Sequence, residues 1–218
     1  MHQEPSAATF FDGFAEAFDT IYDQKRNVFM RWVDCTFRSD MFIRYALTFE
    51  ALGDLKVTSV LDVGCGSGPY IVEAFKRGAE RVTGVDPAPS MLALVRQRLQ
   101  SNQIGKDKCR LLEGTFPGVQ LEPHDFAIVM GVMDYVADSQ SFLNTLRPLV
   151  KRLAVISFPS KHWFRTPFRK LRYRLRRCPL YFYDEAKIRS LCSTAGFRNV
   201  EIKKIPGAGM DFHVRVRP

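Results

Sequence analysis

The chain has 218 residues, a net charge of +9 and an ordinary globular composition, with 46% hydrophobic and 25% charged residues. A chain of this length fits one domain with a substantial core, and no apolar run reaches the roughly 18 residues that a membrane span needs. The first residues lack the pattern of a secretory signal, and the five cysteines form no CxxC pair. We therefore expect a cytoplasmic protein with reduced thiols and no metal site.

The first predicted elements are helices, followed by a strand and a glycine-rich turn. Residues 10–50 carry apolar residues at helical spacing, which predicts two or three helices. Val57–Val63 is predicted as a buried strand, and residues 64–68 (Gly-Cys-Gly-Ser-Gly) follow it. Pro69 suits the first turn of the next helix, and Gly78 suits its end.

Strands and helices alternate over the rest of the chain. The predicted strands are Arg81–Asp86, Arg110–Leu112, Phe126–Met130, Leu153–Phe158, Asn199–Ile205 and Met210–Val216. The predicted helices are Ser90–Gln100, Ser141–Leu146 and one that Asp184 caps and Gly196 ends. This alternation predicts an α/β fold, a doubly wound and mostly parallel sheet of seven strands covered on both faces.

Two histidines lie in or near predicted strands. His124 precedes the fourth strand, and we interpret it as a surface residue at the opposite end of the sheet from the glycine turn. The last strand alternates large apolar residues with His213 and Arg215, which predicts that one of its faces is less buried.

The most informative motif is Val-Leu-Asp-Val-Gly-Cys-Gly-Ser-Gly-Pro at residues 60–69. A strand that turns this tightly into a helix exposes backbone N–H groups at the positive end of the helix, where a ligand can approach the main chain. Pro69 occupies the place of the third glycine of a dinucleotide-binding turn, and no Gly-Lys-Ser/Thr follows as in a P-loop. The motif favours a ligand without phosphate, with a glycine turn that binds nothing as the alternative.

The stretch Leu61–Gly68 resembles the first motif of the class I S-adenosylmethionine-dependent methyltransferases, which has the form hhDhGCGxG. The resemblance implies a Rossmann-like methyltransferase fold with S-adenosylmethionine as cofactor, and it places Asp62 at the ammonium side of that molecule. The residues implied at its methionine portion are Gly64, Cys65, Gly66 and Gly68.

Further cofactor residues are expected along the next strands. Asp86 ends a strand 22 residues beyond Gly64, where a carboxylate can accept both ribose hydroxyls; the alternative is an ordinary turn acid. Met91 resembles the residue that packs on adenine in this family and equally fits the core. Thr115 stands where many members have an aspartate at the adenine amino group. The other expected cofactor residues are Pro87, Gly114, Phe116, Met130 and Gly131.

Methyl transfer needs an aligned acceptor and, for some acceptors, a base. Asp134 and Tyr135, after the fourth strand, are the first catalytic candidates, and His162, beyond the fifth strand, is the second. Tyr22 lies in a stretch, Phe18–Asp23, that resembles one in quinone-biosynthesis methyltransferases. The resemblance implies that Tyr22 closes over the cofactor, and the alternative is a residue at a helix end in a packed layer.

Residues 161–177 contain eight Lys and Arg residues and no acid. Three interpretations stay open for this basic segment: a solvated face, RNA binding through basic and aromatic residues, or a lid. Such a lid would recruit an anionic or amphiphilic acceptor or lie on an anionic membrane surface. We favour the lid, because like charges repel one another until a partner neutralises them.

The whole chain, residues 1–218, is thus predicted as one domain. It comprises a helical cover (10–50), a cofactor-binding core (51–157), a basic lid insert (158–183), and a terminal helix with two strands (184–218). This layout resembles the magnesium-protoporphyrin O-methyltransferases and quinone-biosynthesis methyltransferases. It implies O-methylation of a small anionic or amphiphilic acceptor, in the cytoplasm or at a membrane surface. The alternative is an RNA-associated methyltransferase or a cofactor-dependent RNA-binding protein.

Overall fold

The structure is a computed structural model that describes residues 42–160, 180–205 and 211–218. The strands are β1 (Ser59–Val63), β2 (Arg81–Asp86), β3 (Cys109–Glu113), β4 (His124–Val129), β5 (Val150–Phe158), β6 (Arg198–Lys204) and β7 (Phe212–Arg217). The helices are α1 (residues 42–52), α2 (Pro69–Lys76), α3 (Pro89–Ser101), α4 (Ser139–Leu146) and α5 (Glu185–Thr194).

The seven strands form one sheet in the order β3-β2-β1-β4-β5-β7-β6. The first five strands are parallel, and β7 pairs antiparallel with both β5 and β6. The predicted doubly wound, mostly parallel sheet is confirmed. The strand order reverses between β1 and β4, and ligands of such sheets bind at the carboxyl ends of the strands beside this reversal.

Helices cover both faces of the sheet because successive strand residues point to opposite sides. Val60 belongs to a core cluster shared with α1, α2 and α3, whereas Leu61 belongs to one shared with α4 and α5. The glycine turn therefore follows a strand, β1, whose two faces are both buried.

Three details differ from the predictions. Val57 is 82% exposed and has a positive φ, so β1 begins two residues later than predicted. His124 is the first residue of β4 and is buried rather than at the surface, and its Nε2 lies 2.9 Å from Thr83 Oγ1 of β2, across the intervening β1. His213 is 0% exposed, because α1 covers the face of β7 that was predicted to be less buried.

Two predicted regions lie mostly outside the described residues. Of the helical cover predicted at 10–50, residues 42–50 are described, and they are helical as part of α1. The basic segment, 161–177, lies outside the described residues. Within the parts of the chain that the structure does describe, no helix is both long and apolar enough to cross a membrane.

Candidate active site

The glycine turn connects the carboxyl end of β1 to α2. Gly64, Gly66 and Gly68 all have positive φ, a conformation that other residues rarely adopt. The turn is joined to β2, because the N–H groups of Gly64 and Cys65 both donate to Val85 O, at 2.8 and 3.1 Å. Helix α2 then begins at Pro69, as predicted.

The glycines of this turn serve different purposes. A Cβ on Gly64 would collide with Val132 Cγ2, and a Cβ on Gly68 would lie 3.0 Å from the side chain of Val95 in α3. At Gly66, in contrast, an added Cβ would meet nothing within 4 Å. The first and third glycines therefore permit close packing, and Gly66 borders open space.

Two buried polar atoms beside the turn have no hydrogen-bond partner among the described residues: Asp62 Oδ2 and Ser67 Oγ. Asp62 is 1% exposed, and its burial, together with the nearby Asp86, raises the pKa of its carboxyl to about 8. An unsatisfied buried polar group is costly, and a bound cation with N–H donors would relieve that cost at Asp62. The turn therefore fits a ligand that carries an ammonium group.

Asp86 ends β2 and faces the glycine turn. Its Oδ2 accepts the N–H of Gly66 at 2.8 Å, and its Oδ1 accepts the N–H of Ala88 at 2.9 Å. A carboxylate oxygen can accept more than one hydrogen bond. Asp86 is the charged residue that the fold brings directly against the turn.

Several predicted cofactor residues direct their side chains into the protein. The Cys65 side chain belongs to the core, and burial raises its pKa well above the usual range. Phe116 packs edge-on against Phe142 with ring centroids 4.8 Å apart. Met91 is 1% exposed, which leaves little of its surface for adenine. These positions offer a ligand chiefly their backbone.

Gly114, Thr115 and Pro87 lie at the edge of the cleft. The N–H of Gly114 donates to Asp86 O at 3.1 Å, which places residues 114 and 115 beside the end of β2. Thr115 is exposed, whereas Gly114 and Pro87 are half-buried. All three are accessible to a ligand at Asp86.

Met130 and Gly131 form the turn that follows β4. Gly131 has a positive φ, and its N–H donates to Ser157 Oγ of β5 at 2.8 Å. The next residue is Val132, whose side chain occupies the space above Gly64. This Met130–Gly131 turn is therefore one wall of the cleft whose floor is the glycine turn.

Asp134 and Tyr135 follow in the same loop, as predicted. Asp134 is 5% exposed, and its backbone oxygen accepts the N–H of Tyr181 at 2.9 Å. The Tyr183 hydroxyl lies 2.6 Å from Ser139 Oγ and donates to Met133 O at 3.2 Å. Residues just after the basic segment thus hold the loop that carries both catalytic candidates.

The described residues that flank the basic segment in the sequence lie side by side. Tyr183 N donates to Pro159 O at 2.9 Å, and Ser160 and Tyr183 form a parallel β-bridge. The chain therefore leaves β5 and returns at the carboxyl edge of the sheet, next to Asp134.

Two predicted site residues, Tyr22 and His162, lie outside the described residues. Within the described ranges, no group of His, Cys, Asp and Glu has the arrangement of a metal site. Sequence reasoning overlooked Ser67, although it stands inside the glycine motif. It also overlooked His213 and Thr48, which no local pattern connects to the cleft.

Comparison with known proteins places this site in a family context. Residues 60–152 match the family model of a methyltransferase domain. The ubiquinone biosynthesis O-methyltransferase of Neisseria meningitidis serogroup C is 28% identical over 175 residues, which cover 74% of this chain and 70% of that protein. The tRNA U34 carboxymethyltransferase of Dichelobacter nodosus is 30% identical over 118 residues, covering 54% of this chain and 36% of that protein.

A solved structure shares the fold over nearly the whole chain. The magnesium protoporphyrin IX methyltransferase of Synechocystis PCC 6803, crystallised with bound SAH, superposes with a TM-score of 0.76 at 20% identity. The match covers 96% of this chain and 97% of that one.

Proposed function

Because the chain is a class I S-adenosylmethionine-dependent methyltransferase, we propose that it methylates an oxygen atom of a small anionic or amphiphilic acceptor. The observation that carries this proposal is the position of the described residues that flank the basic segment. Pro159 and Ser160 on one side contact Tyr183 on the other, beside the loop of Asp134. An acceptor drawn to those charges would therefore meet the end of β4.

The cofactor, when bound, supplies a methyl group activated by its sulfonium. We assign its ammonium group to Asp62, whose buried Oδ2 has no partner in the described residues. Asp86 would hold the ribose hydroxyls, and the open space at Gly66 would receive the methionine portion. The Met130–Gly131 turn closes the other side of the cleft.

The acceptor is assigned to the loop after the Met130–Gly131 turn. Asp134 would orient an acceptor hydroxyl and take up its proton, and Tyr135 would donate a hydrogen bond to the acceptor. A carboxylate acceptor needs no proton removal, so for that class both residues would only align the oxygen with the methyl group. We propose His162 as the second candidate for the base. We also propose that Tyr22 closes over the cofactor.

The name of one relative supports oxygen as the methylated atom. The Neisseria meningitidis relative is named an O-methyltransferase of ubiquinone biosynthesis, and the fold neighbour from Synechocystis is named for magnesium protoporphyrin IX. Both names point to small organic acceptors.

The test is transfer of labelled methyl from S-adenosylmethionine to a panel of phenols, quinols and porphyrin carboxylates. We expect the Arg172→Gln/Arg174→Gln double variant to raise the acceptor KM about tenfold while the Kd for S-adenosylmethionine stays unchanged. A matched control is Lys106→Gln/Lys108→Gln, which removes two exposed cations elsewhere. Equal acceptor KM values in the wild type and both double variants would contradict the proposed lid.

A second candidate is an RNA-associated methyltransferase, favoured by the match to tRNA U34 carboxymethyltransferases and by the basic segment. Contacts to phosphates weaken steeply with salt, so RNA retention should be measured as salt rises, beside retention on anionic vesicles. Loss of RNA retention at physiological salt removes this candidate. Retention on anionic vesicles under the same conditions would favour contact with a membrane surface.

A further inference from the structure

A buried histidine of the last strand lies beside β5, the strand that pairs with β4. His213 pairs with Ser157 in the antiparallel register of β7 and β5, and its side chain is covered by α1. Its Nε2 lies 3.5 Å from Thr48 Oγ1 of α1. The fold thus brings together residues that are far apart in the sequence.

The hydrogen bonds around Thr48 are compatible with a His213 ring that carries its proton on Nε2. The Thr48 hydroxyl donates to Arg44 O at 2.7 Å, and its oxygen retains the capacity to accept. A His213 tautomer protonated at Nε2 would donate to that oxygen. Burial, with Arg215 and Lys203 nearby, lowers the pKa of His213 to about 4, which keeps the ring neutral at physiological pH.

Both neighbours of His213 support the Met130–Gly131 turn. Thr48 Oγ1 contacts Met130 Sδ at 3.9 Å, and Ser157 Oγ accepts the N–H of Gly131 at 2.8 Å. All these side chains are buried. Because these side chains are closely packed, a shift of the Thr48 side chain would displace the Met130–Gly131 turn.

We propose that His213 is a positioning residue of the methyl-transfer site, which holds the Met130–Gly131 turn against the glycine turn through Thr48. The proposal rests on the proposed function only in placing the cofactor beside this turn. His213 does not act on the reacting atoms itself, and its effect is the geometry of the wall opposite Gly64.

The test uses three variants of the full chain and two measurements. Thr48→Val removes the hydroxyl at nearly constant volume, and His213→Leu removes the donor. His213→Gln keeps a side-chain N–H near the position of Nε2. We expect hydrogen exchange of the amides at 131–135 to become about fivefold faster, and the Kd for S-adenosylmethionine about fivefold higher, in the first two variants only.

The matched control is Thr58→Val, which also removes a buried hydroxyl, one that donates to Leu55 O at 2.6 Å before β1. Thermal unfolding reports the global stability of every variant. Unchanged exchange at 131–135 in Thr48→Val, or equal effects in His213→Gln and His213→Leu, would overturn the proposal. If the wild type failed to bind S-adenosylmethionine, the cofactor assignment would fail, and the exchange measurement would still decide the role of His213.

Discussion

The carboxylate of Asp86, at the end of β2, accepts the backbone N–H of Gly66, in the glycine turn after β1, at 2.8 Å. This bond joins two segments that the sequence separates by 20 residues. Asp86 therefore has two roles in the site we propose: it fixes the glycine turn, and its carboxylate would accept hydrogen bonds from the ribose.

Asp86→Ala should raise the Kd for S-adenosylmethionine by at least about tenfold, because hydrogen bonds to a charged group contribute about 1.5–3 kcal/mol each. Calorimetric titration measures the effect. The control is Asp125→Ala, since Asp125 likewise accepts a backbone N–H, that of Ser59 at 2.9 Å, but at the amino end of β1. An unchanged Kd in Asp86→Ala would refute the ribose assignment.

Asp62 should make the stability of the unliganded protein fall with rising pH. Burial and the neighbouring Asp86 raise its pKa in the folded state from the ordinary 3.8 to about 8. The folded protein thus holds a proton that the unfolded chain has lost, and this contribution to stability is present below pH 3.8 and is lost as pH rises through about 8. We expect the free energy of unfolding of Asp62→Asn, measured in urea, to change less between pH 5 and pH 8 than that of the wild type. If the free energies of unfolding of the two proteins changed equally with pH, the raised pKa of Asp62 would be refuted.

Binding of S-adenosylmethionine should release a proton from Asp62 near neutral pH. An ammonium group beside the carboxylate favours its ionised form, which lowers its pKa from the value in the unliganded protein. Titration calorimetry in two buffers of different ionisation enthalpy measures the released protons. Asp62→Asn should release none and bind more weakly, and equal proton release from both proteins would place the ammonium elsewhere.

Two glycine variants should separate folding from binding. Gly64→Ala places a methyl group against Val132 at a positive φ, so we expect a loss of stability of about 2 kcal/mol or more. In Gly66→Ala the added methyl group meets no protein atom within 4 Å, so we expect a loss of stability of only about 1 kcal/mol, from the positive φ. The same methyl group would occupy the space proposed for the cofactor, so we expect a large loss of cofactor affinity. Urea unfolding measures the stability and calorimetry measures the cofactor affinity. A wild-type affinity in Gly66→Ala would show that the cofactor does not occupy the space beside Gly66.

Tyr183→Phe should loosen the loop of Asp134. The change removes the hydroxyl that meets Ser139 Oγ and Met133 O, which should cost about 1 kcal/mol of stability and lower the turnover of acceptor. The Kd for S-adenosylmethionine should stay near the wild-type value. Tyr181→Phe is the control, because Tyr181 meets Asp134 through its backbone N–H; equal losses of turnover in both variants would contradict this role of the Tyr183 hydroxyl.

The succession of strands and helices along the chain and the glycine turn could be predicted because their signals are local. Positive φ at Gly64, Gly66 and Gly68 requires residues without a side chain, and Asp184 caps α5 by accepting the N–H of Lys187 three residues later. The surroundings of His124 and His213 could not be predicted. Their partners, Thr83 and Thr48, come from other elements, and no periodicity within one strand contains that information.

The sequence by itself identified the cofactor through a family resemblance, because the residues that carry that resemblance form a strand, a tight turn and an acid within residues 60–86. Only the tertiary structure determined which residues form the walls of the cleft. Val132, after the Met130–Gly131 turn, lies against Gly64, and Tyr181 and Tyr183 contact the loop of Asp134. In our proposal, His213 supports Met130 through Thr48. These contacts join residues that are distant in the sequence, and side-chain packing across the sheet, rather than the preference of any segment, determines them.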